Sequence, residues 1–457
     1  MKALVVSGDR SGTGKTSVSL ALASLLSDRM PVQTFKVGMD YIDPSYLAAA
    51  TGRPCRNLDD FVMGEWEIRT CFAHGCRGAE FALIEGVRGL YEGADALTDR
   101  GSTAGIAKGL GVPVILVVNA RSITRSAAAL VKGFQAFDPS IAIRGVILNS
   151  VGGESHTKKA VTAIEHACGI PVLGAIPHDV RVELTMRHLG LVPYREGSGD
   201  EGLRGRLAAV RELVSEHVDL DRVLGCAAEL DPVAVEPSPF LVDRDPDIKI
   251  GVAYDEAFNF YYADLFDLLP ALGAEMVTFS PVHGRLPEAD GYLLGGGYPE
   301  LFGTELEANE GMKEALRHAS LEGIPVYGEC GGLMYLTDRI VIEPGWRGGK
   351  GESFAMCGVF PGETRMPARR VVSYVEGVAS GEGPLGAGPF RGHEFHYSDV
   401  VFEPGTRFAY RITRGLGIRD GMDGALARRT LGSYTHLHPL ASLGMFRHFV
   451  EECRKQG

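Results

Sequence analysis

The chain has no apolar run approaching the roughly 18 residues that would read as a membrane span. Its eight cysteines are scattered, with no CxxC pair and no regular spacing. That excludes a disulfide framework and leaves the reduced thiols of a cytoplasmic protein as the expectation. Cys71 and Cys76 fit no common metal motif and read as packed thiols. Basic excess is missing too: 46 Lys and Arg against 58 Asp and Glu give a net charge of −12, which argues against nucleic acid as a partner. An anionic substrate would therefore need a locally basic pocket. There is no internal repeat, no low-complexity segment and no signal-like start, since Lys2-Ala3-Leu4-Val5-Val6-Ser7 already reads as a strand.

What is present is α/β patterning. The 457 residues suit two domains, or three small ones. Hydrophobic content of 45% and 60 glycines fit an architecture punctuated by strand–helix turns. Ala3–Ser7, Val32–Val37, Phe81–Glu85, Val112–Asn119, Ile143–Asn149 and Val172–Ile176 are β-rich runs separated by helix-compatible stretches. Most are continuous Val/Ile/Leu runs, as parallel strands buried on both faces require. They predict a doubly wound parallel sheet over 1–194, with ligands at the carboxyl ends of the strands. Charged helical residues Leu203–Val218, then Pro232, Pro237, Pro239 and Pro246, mark 195–246 as a linker. A second α/β series over 247–457 runs through Ile248, Glu275–Phe279, Gly291–Leu294 and Ile324–Tyr327, with loops expected at 343–351 and 380–392.

Chemistry concentrates at two places. Gly8-Asp9-Arg10-Ser11-Gly12-Thr13-Gly14-Lys15-Thr16-Ser17 follows the first strand and opens a helix. Such a loop turns backbone N–H groups toward phosphate oxygens, and the helix dipole adds to the attraction. Lys15 is placed to reach the β- and γ-phosphates and the Thr16 hydroxyl to ligate Mg²⁺. The first glycine stands one place earlier than the strict P-loop spacing, Asp9 holding that position. Asp40 and Asp43 close the second strand and Glu85 the third; carboxylates at this edge, with Thr16, are placed to hold Mg²⁺.

The other place is Gly328-Glu329-Cys330-Gly331-Gly332, where small residues flank a nucleophile between a strand and a helix. His436, in Ser433-Tyr434-Thr435-His436-Leu437-His438, is the expected base, with His438 a second candidate for the catalytic group. A thiolate attacking a carboxamide also needs oxyanion donors, here the N–H groups of Gly331 and of Gly296 and Gly297 in Leu294-Gly295-Gly296-Gly297-Tyr298-Pro299-Glu300. Glutaminase triads often carry Glu two residues after the His; here that place is His438, so the third member stays open. Arg391-Gly392-His393-Glu394-Phe395-His396-Tyr397-Ser398 reads as shaping a substrate pocket. One half thus releases ammonia from L-glutamine and the other spends ATP to use it.

These blocks, over nearly the whole length, resemble the cobyrinic acid a,c-diamide synthase family, which joins a dethiobiotin-synthetase-like ATPase domain to a class I glutamine amidotransferase-like domain. The resemblance implies that Lys36 joins Gly12–Ser17 in binding ATP, and that Asp40, Tyr41, Asp43 and Arg88 serve substrate binding and phosphoryl transfer. It also implies phosphorylation of the a and c acetates of a tetrapyrrole polycarboxylate in turn, each acyl phosphate then taking ammonia made at Cys330. Cobyrinic acid, on the cobalamin route, and nickel-sirohydrochlorin, on the route to coenzyme F430 of methanogenesis, compete as substrate, with a sirohaem-type ring a third option. Met39 and Arg88 resemble the nickel-pathway members. Arg88, Arg121, Arg125, Arg365, Arg369 and Arg370 are candidates to pair with ring carboxylates. Two other readings are a cobyric acid synthase-type amidase and a P-loop switch ATPase with a non-catalytic C-terminal domain. The oligomeric state is open, a homodimer being one option.

Overall fold

The computed structural model describes residues 1–179, 201–231, 238–242, 245–346 and 349–456. The expected boundary at 194/195 and the linker prolines Pro232 and Pro237 lie outside them. The chain divides into two compact units, Met1–Pro237 and Ser238–Gly457.

The first unit is a sheet of β1 (Lys2–Gly8), β2 (Val32–Val37), β3 (Arg56–Leu58), β4 (Phe81–Gly89), β5 (Val114–Asn119), β6 (Ile143–Val151) and β7 (Val172–Pro177), ordered β3-β2-β4-β1-β5-β6-β7. All these pairs are parallel. A short β8 (Ala228–Glu229) pairs antiparallel with β1. Of the continuous apolar runs, β5 is buried along all but its last residue, while β2 is buried along its whole length although it carries Gln33, Thr34 and Lys36. Helices α1 (Lys15–Ser27), α2 (Ile42–Thr51), α3 (Glu65–Gly75), α4 (Thr103–Leu110), α5 (Arg125–Phe137) and α6 (Glu154–Cys168) connect them. Successive strands add to one side of β1 and later to the other, so the loop after β1 sits where the winding reverses, the usual place for a ligand in such sheets.

Residues 201–226, placed by sequence in a linker with 203–218 read as helical, form the helices Glu201–His217 and Leu220–Cys226 within the first unit. The physical reason is amphipathicity: Leu203, Val210, Val214 and Val223 are buried against the residues around α1. Arg211 Nη1 donates to Ser24 Oγ at 2.6 Å and its guanidinium pairs with Asp28.

In the second unit one sheet comprises β9 (Ile248–Ala253), β10 (Ala274–Phe279), β11 (Gly291–Leu294), β12 (Val326–Glu329), β16 (Val371–Ser380), β17 (Ala387–His396), β19 (Arg407–Arg414), β20 (Met422–Ala427), β21 (Thr430–Ser433) and β22 (His436–Leu437). Its order is β10-β9-β11-β12-β21-β20-β19-β16-β17-β22. A smaller sheet of β13 (Thr337–Ile342), β14 (Glu352–Ala355), β15 (Phe360–Met366) and β18 (Asp399–Phe402) is ordered β14-β13-β15-β18. Residues 387–392, expected in a loop, are the first six residues of the ten in β17. Pro389 lies where β17 is paired on one side alone, opposite Val378 of β16, since β22 reaches only Gly392 and His393.

Truncating Leu203 to Ala should destabilise the first unit by about 2–5 kcal/mol, read as a lowered urea midpoint. A flexible linker at 201–217 would leave that midpoint unchanged.

Candidate active sites

In the first unit the phosphate loop runs from β1 into α1, with Gly14 in the left-handed region at φ 93° as the residue preceding the helix. Gly12 is exposed, Thr13 and Lys15 are buried and Thr16 is half-buried. Asn149 Nδ2 holds the loop by donating to the Thr13 carbonyl at 2.7 Å. Ser17 lies one residue further into α1 and is 3% exposed.

Beneath this loop four charged side chains converge. Glu85, fully buried on β4, accepts from Lys15 Nζ at 2.5 Å, from Thr16 Oγ1 at 2.6 Å and from Lys36 Nζ at 3.0 Å. Lys36 also pairs with Asp43, whose Oδ2 accepts from Thr16 Oγ1 at 3.4 Å. Register explains the meeting: β2 and β4 run parallel with Lys36 beside Glu85. Burial opposes charge on Glu85, but Lys15 and Lys36 hold its carboxyl down to about 2. Burial pulls the Lys15 ammonium below its ordinary value despite Glu85. For Lys36 burial acts the same way, yet Asp43 and Glu85 outweigh it and raise the ammonium well above the usual range.

Asp40 is pushed up to about 6, first by burial and then by the neighbouring Asp43. Its Oδ1 accepts from the N–H groups of Ile42 and Asp43 at 2.8 and 3.2 Å, so it caps α2 and orients Asp43. Tyr41 is the residue at that cap. Arg88, exposed at the end of β4, is in the left-handed region at φ 48°. Arg121 and Arg125 are exposed at the carboxyl side of β5.

Metal-binding capacity rests on oxygen donors. Among the described residues no group of three or more His, Cys, Asp or Glu is arranged for a metal. A hydroxyl and two carboxylates beside a phosphate loop are nevertheless the donor set of a nucleotide-bound Mg²⁺. Glu85 Oε2 fits this, being buried with no hydrogen-bond partner among the described residues.

In the second unit Cys330 sits between β12 and the short helix Gly331–Leu336 at φ 47°, ψ −97°. Its N–H donates to the Ser433 carbonyl at 2.7 Å, which ties the elbow to β21. The thiol is 6% exposed and lies 3.7 Å from the Phe395 carbonyl oxygen. The Cys330 thiol and the Glu329 carboxylate are the groups that act on the His436 imidazole. The His436 ring is pressed under Gly296, where a Cβ would come within 2.6 Å of Cε1, so no side chain fits. A Cβ on Gly331 would lie 3.0 Å from the Gly297 nitrogen, so these two turns border the same space.

His436 Nδ1 lies 3.3 Å from Glu329 Oε2. Burial alone would lower the imidazole, but its bonds to Cys330 and Glu329 raise it to about 10. On its other face it stacks on His393, centroids 4.9 Å apart. Burial, followed by His436 and His438, pushes His393 well below its ordinary value, and its Nδ1 lies 3.2 Å from the Tyr262 hydroxyl. His438, the second candidate for the catalytic group, is turned away to a different carboxylate: its Nε2 is 3.4 Å from Asp264 Oδ2, both side chains fully buried. Glu329 stands inside the motif around the nucleophile, yet no spacing rule gave it a task.

The remaining arginines divide. Arg365 is bound to Glu363 at 2.7 Å, and Arg370 lies over the rings of Phe395 and Tyr397 at 5.7 and 5.8 Å. Arg369 is exposed.

Because the raised value keeps the ring charged until pH climbs through about 10, the His436 imidazole should still be an imidazolium at pH 8 by ¹⁵N NMR. In Cys330→Ala its titration should move to lower pH. An imidazole titrating near its ordinary value in the native protein would contradict the geometry.

Residues 4–192 match the family described as the CobQ/CobB/MinD/ParA nucleotide binding domain, and residues 249–443 match the CobB/CobQ-like glutamine amidotransferase domain. The chain is similar to proteins named cobyrinate a,c-diamide synthase from several organisms. It is 48% identical to that of Methanosarcina barkeri, over 99% of this chain and 96% of the relative. For Methanosarcina acetivorans the figures are 47%, 99% and 95%, and for Archaeoglobus fulgidus 38%, 99% and 98%. With identity of this order from end to end, and a nucleotide unit followed by an amidotransferase unit in the same order, the chain belongs to the cobyrinate a,c-diamide synthase family.

Proposed function

We propose that this protein converts the a and c acetate side chains of a tetrapyrrole to carboxamides, using ATP and L-glutamine for each. The observation that carries the reading is the pairing of Lys15, Lys36, Asp43 and Glu85 under a phosphate loop with a Cys330–His436 pair elsewhere in the same chain. Its near full-length relatives are named for cobyrinate, which makes a corrin the first substrate to test.

The chemistry follows from what a carboxylate needs. Ammonia does not displace an oxide leaving group, so the acetate oxygen first attacks the γ-phosphorus and ADP leaves. Lys15 and Lys36 supply positive charge where three phosphate oxygens gain negative charge in a loose transition state. Gly12, Thr13 and Gly14 offer backbone N–H groups, with Ser17 closing the first turn of α1. Thr16, Asp43 and Glu85 would hold Mg²⁺, which when bound neutralises charge on the nucleotide's terminal phosphates. Asp40 and Tyr41 set the position of Asp43, and Arg88 offers a guanidinium to a ring carboxylate.

At the other centre the Cys330 thiolate attacks the glutamine carboxamide. The N–H groups of Gly297, Gly296 and Gly331 face the developing oxyanion, and His436 gives its proton to the departing ammonia. Water then releases glutamate from the thioester. Ammonia attacks the acyl phosphate and inorganic phosphate leaves, so each carboxamide consumes one ATP, one glutamine and one water.

A second substrate has its own support. Met39 follows β2, Arg88 is exposed near the end of β4 with φ 48°, and both residues resemble the nickel-sirohydrochlorin branch. Purified protein with MgATP, glutamine and either cobyrinic acid or nickel-sirohydrochlorin should yield a ring carrying two carboxamides, read by mass. Unchanged mass for both rings would overturn the a,c-diamide reading.

Cys330→Ser should abolish amidation from glutamine while leaving amidation from ammonium salts within about twofold. Lys15→Ala should lower both by at least about 10³-fold, as expected for a residue acting on the transferred phosphoryl group.

A further inference from the structure

We infer that Glu329, the residue immediately before the nucleophile, is the third member of the glutaminase triad: a positioning residue whose carboxylate holds the His436 ring. The inference rests on the glutaminase reading of Cys330 and His436.

The acid expected shortly after the base is absent. Two residues after His436 stands His438, which cannot orient an imidazole as a carboxylate does, and which is paired with Asp264. The buried carboxylates around the site are otherwise committed. Asp423 accepts from the N–H groups of Gly424, Tyr434 and Thr435 and from Thr435 Oγ1. Glu394 accepts from the N–H groups of Leu416 and Gly417. Among the described residues the titratable groups around His436 are Cys330, Glu329, the neutral His393 stacked on it, and His396, itself pushed down to about 4 first by burial.

Glu329 meets the requirements of the role. Oε2 lies 3.3 Å from His436 Nδ1, which leaves Nε2 for the thiol. Oε1 is itself fixed, accepting from the Tyr327 hydroxyl at 2.7 Å and from the Leu437 N–H at 3.1 Å. Strand periodicity puts Tyr327 and Glu329 on one face of β12, and parallel pairing sets Glu329 beside Ser433 of β21, three residues before His436. A buried carboxylate with both oxygens engaged is held far more tightly than one at a loop end. One turn of backbone thus carries the nucleophile and, in the preceding residue, the group that aims the base at it.

The test uses the full-length protein. Glu329→Gln keeps the shape and removes the charge. It should lower kcat for glutamine by at least about 100-fold, by analogy with loss of the orienting acid in serine proteases. KM for glutamine should stay within about twofold and ammonia-supported amidation should match wild type. Alkylation of Cys330 by iodoacetamide should also shift to higher pH. Wild-type glutamine kcat with an unshifted alkylation profile would overturn the inference. Cys330→Ser, run alongside, separates the two layers: if it still uses glutamine, the underlying reading fails, whereas a dead Cys330→Ser beside a fully active Glu329→Gln sinks only the role of Glu329. Should Glu329→Gln lose ammonia-supported activity as well, Tyr327→Phe takes its place. It should cut glutamine kcat several-fold at constant KM, and no change there would equally overturn the proposal.

Discussion

The first unit is organised around one buried carboxylate. Glu85 has no exposed surface, and an ion in that position costs several kcal/mol unless it is paired and fully hydrogen-bonded. Its partners come from three separate places, the start of α1, the second strand and, through Lys36, the start of α2. Only the parallel register that sets Lys36 beside Glu85 brings them together. The same pairing that makes the buried charge tolerable assembles two ammonium groups where a phosphate chain would lie. In the proposed function a bound nucleotide would give Lys15 an alternative anion, and Glu85 Oε2, buried with no hydrogen-bond partner among the described residues, would be available to a cation. In the proposed function, the pairing that stabilises this part of the sheet would also supply the electrostatics of phosphoryl transfer.

The second unit solves its problem through backbone geometry instead. Cys330 occupies a region of φ that few residues adopt, and the turn is kept there by the bond from its N–H to Ser433 and by helix packing behind it. Buried acids then stiffen the surrounding loops. Asp255 accepts from the N–H groups of Ala257, Phe258 and Val282, while Asp423 locks the residues leading into His436. Close approach of Gly296 to the imidazole completes the fit. The ring is therefore bounded above by glycine, below by His393 and at Nδ1 by Glu329, so its orientation is set before any substrate arrives.

Much of this was legible in the residues. The strands around the phosphate loop are continuous apolar runs because both faces are covered; Lys15 and Thr16 open α1 and Cys330 directly follows β12, whereas Glu85, expected to close its strand, lies in the middle of β4. What the residues did not reveal has physical reasons. Strand β3 is Arg56-Asn57-Leu58, too short and too polar to signal. Residues 201–226 carry enough charge to resemble a linker, and only the spacing of Leu203, Val210 and Val214 betrays a buried face. Antiparallel β16 alternates in burial, but small Gly377 and Ala379 point inward while Val372 and Val378 are exposed, so its residues do not show the alternation. Glu329 carried no spacing motif at all. The signal that pointed to it was negative: His438 stood where an acid was due, so a carboxylate had to come from elsewhere.

A glutamine-dependent amide ligase must keep two reactive species, an acyl phosphate and free ammonia, from being lost to water, and activation of the carboxylate is the step that makes the ammonia useful. That step can be read directly. Substrate labelled with ¹⁸O in its acetate carboxylates should, with MgATP and glutamine, deliver one labelled oxygen into inorganic phosphate for every carboxamide formed, read by ³¹P NMR. Phosphate free of label, alongside normal amide formation, would show that the carboxylate never bonds to phosphorus and would contradict a phosphoryl-transfer role for Lys15, Lys36 and Glu85.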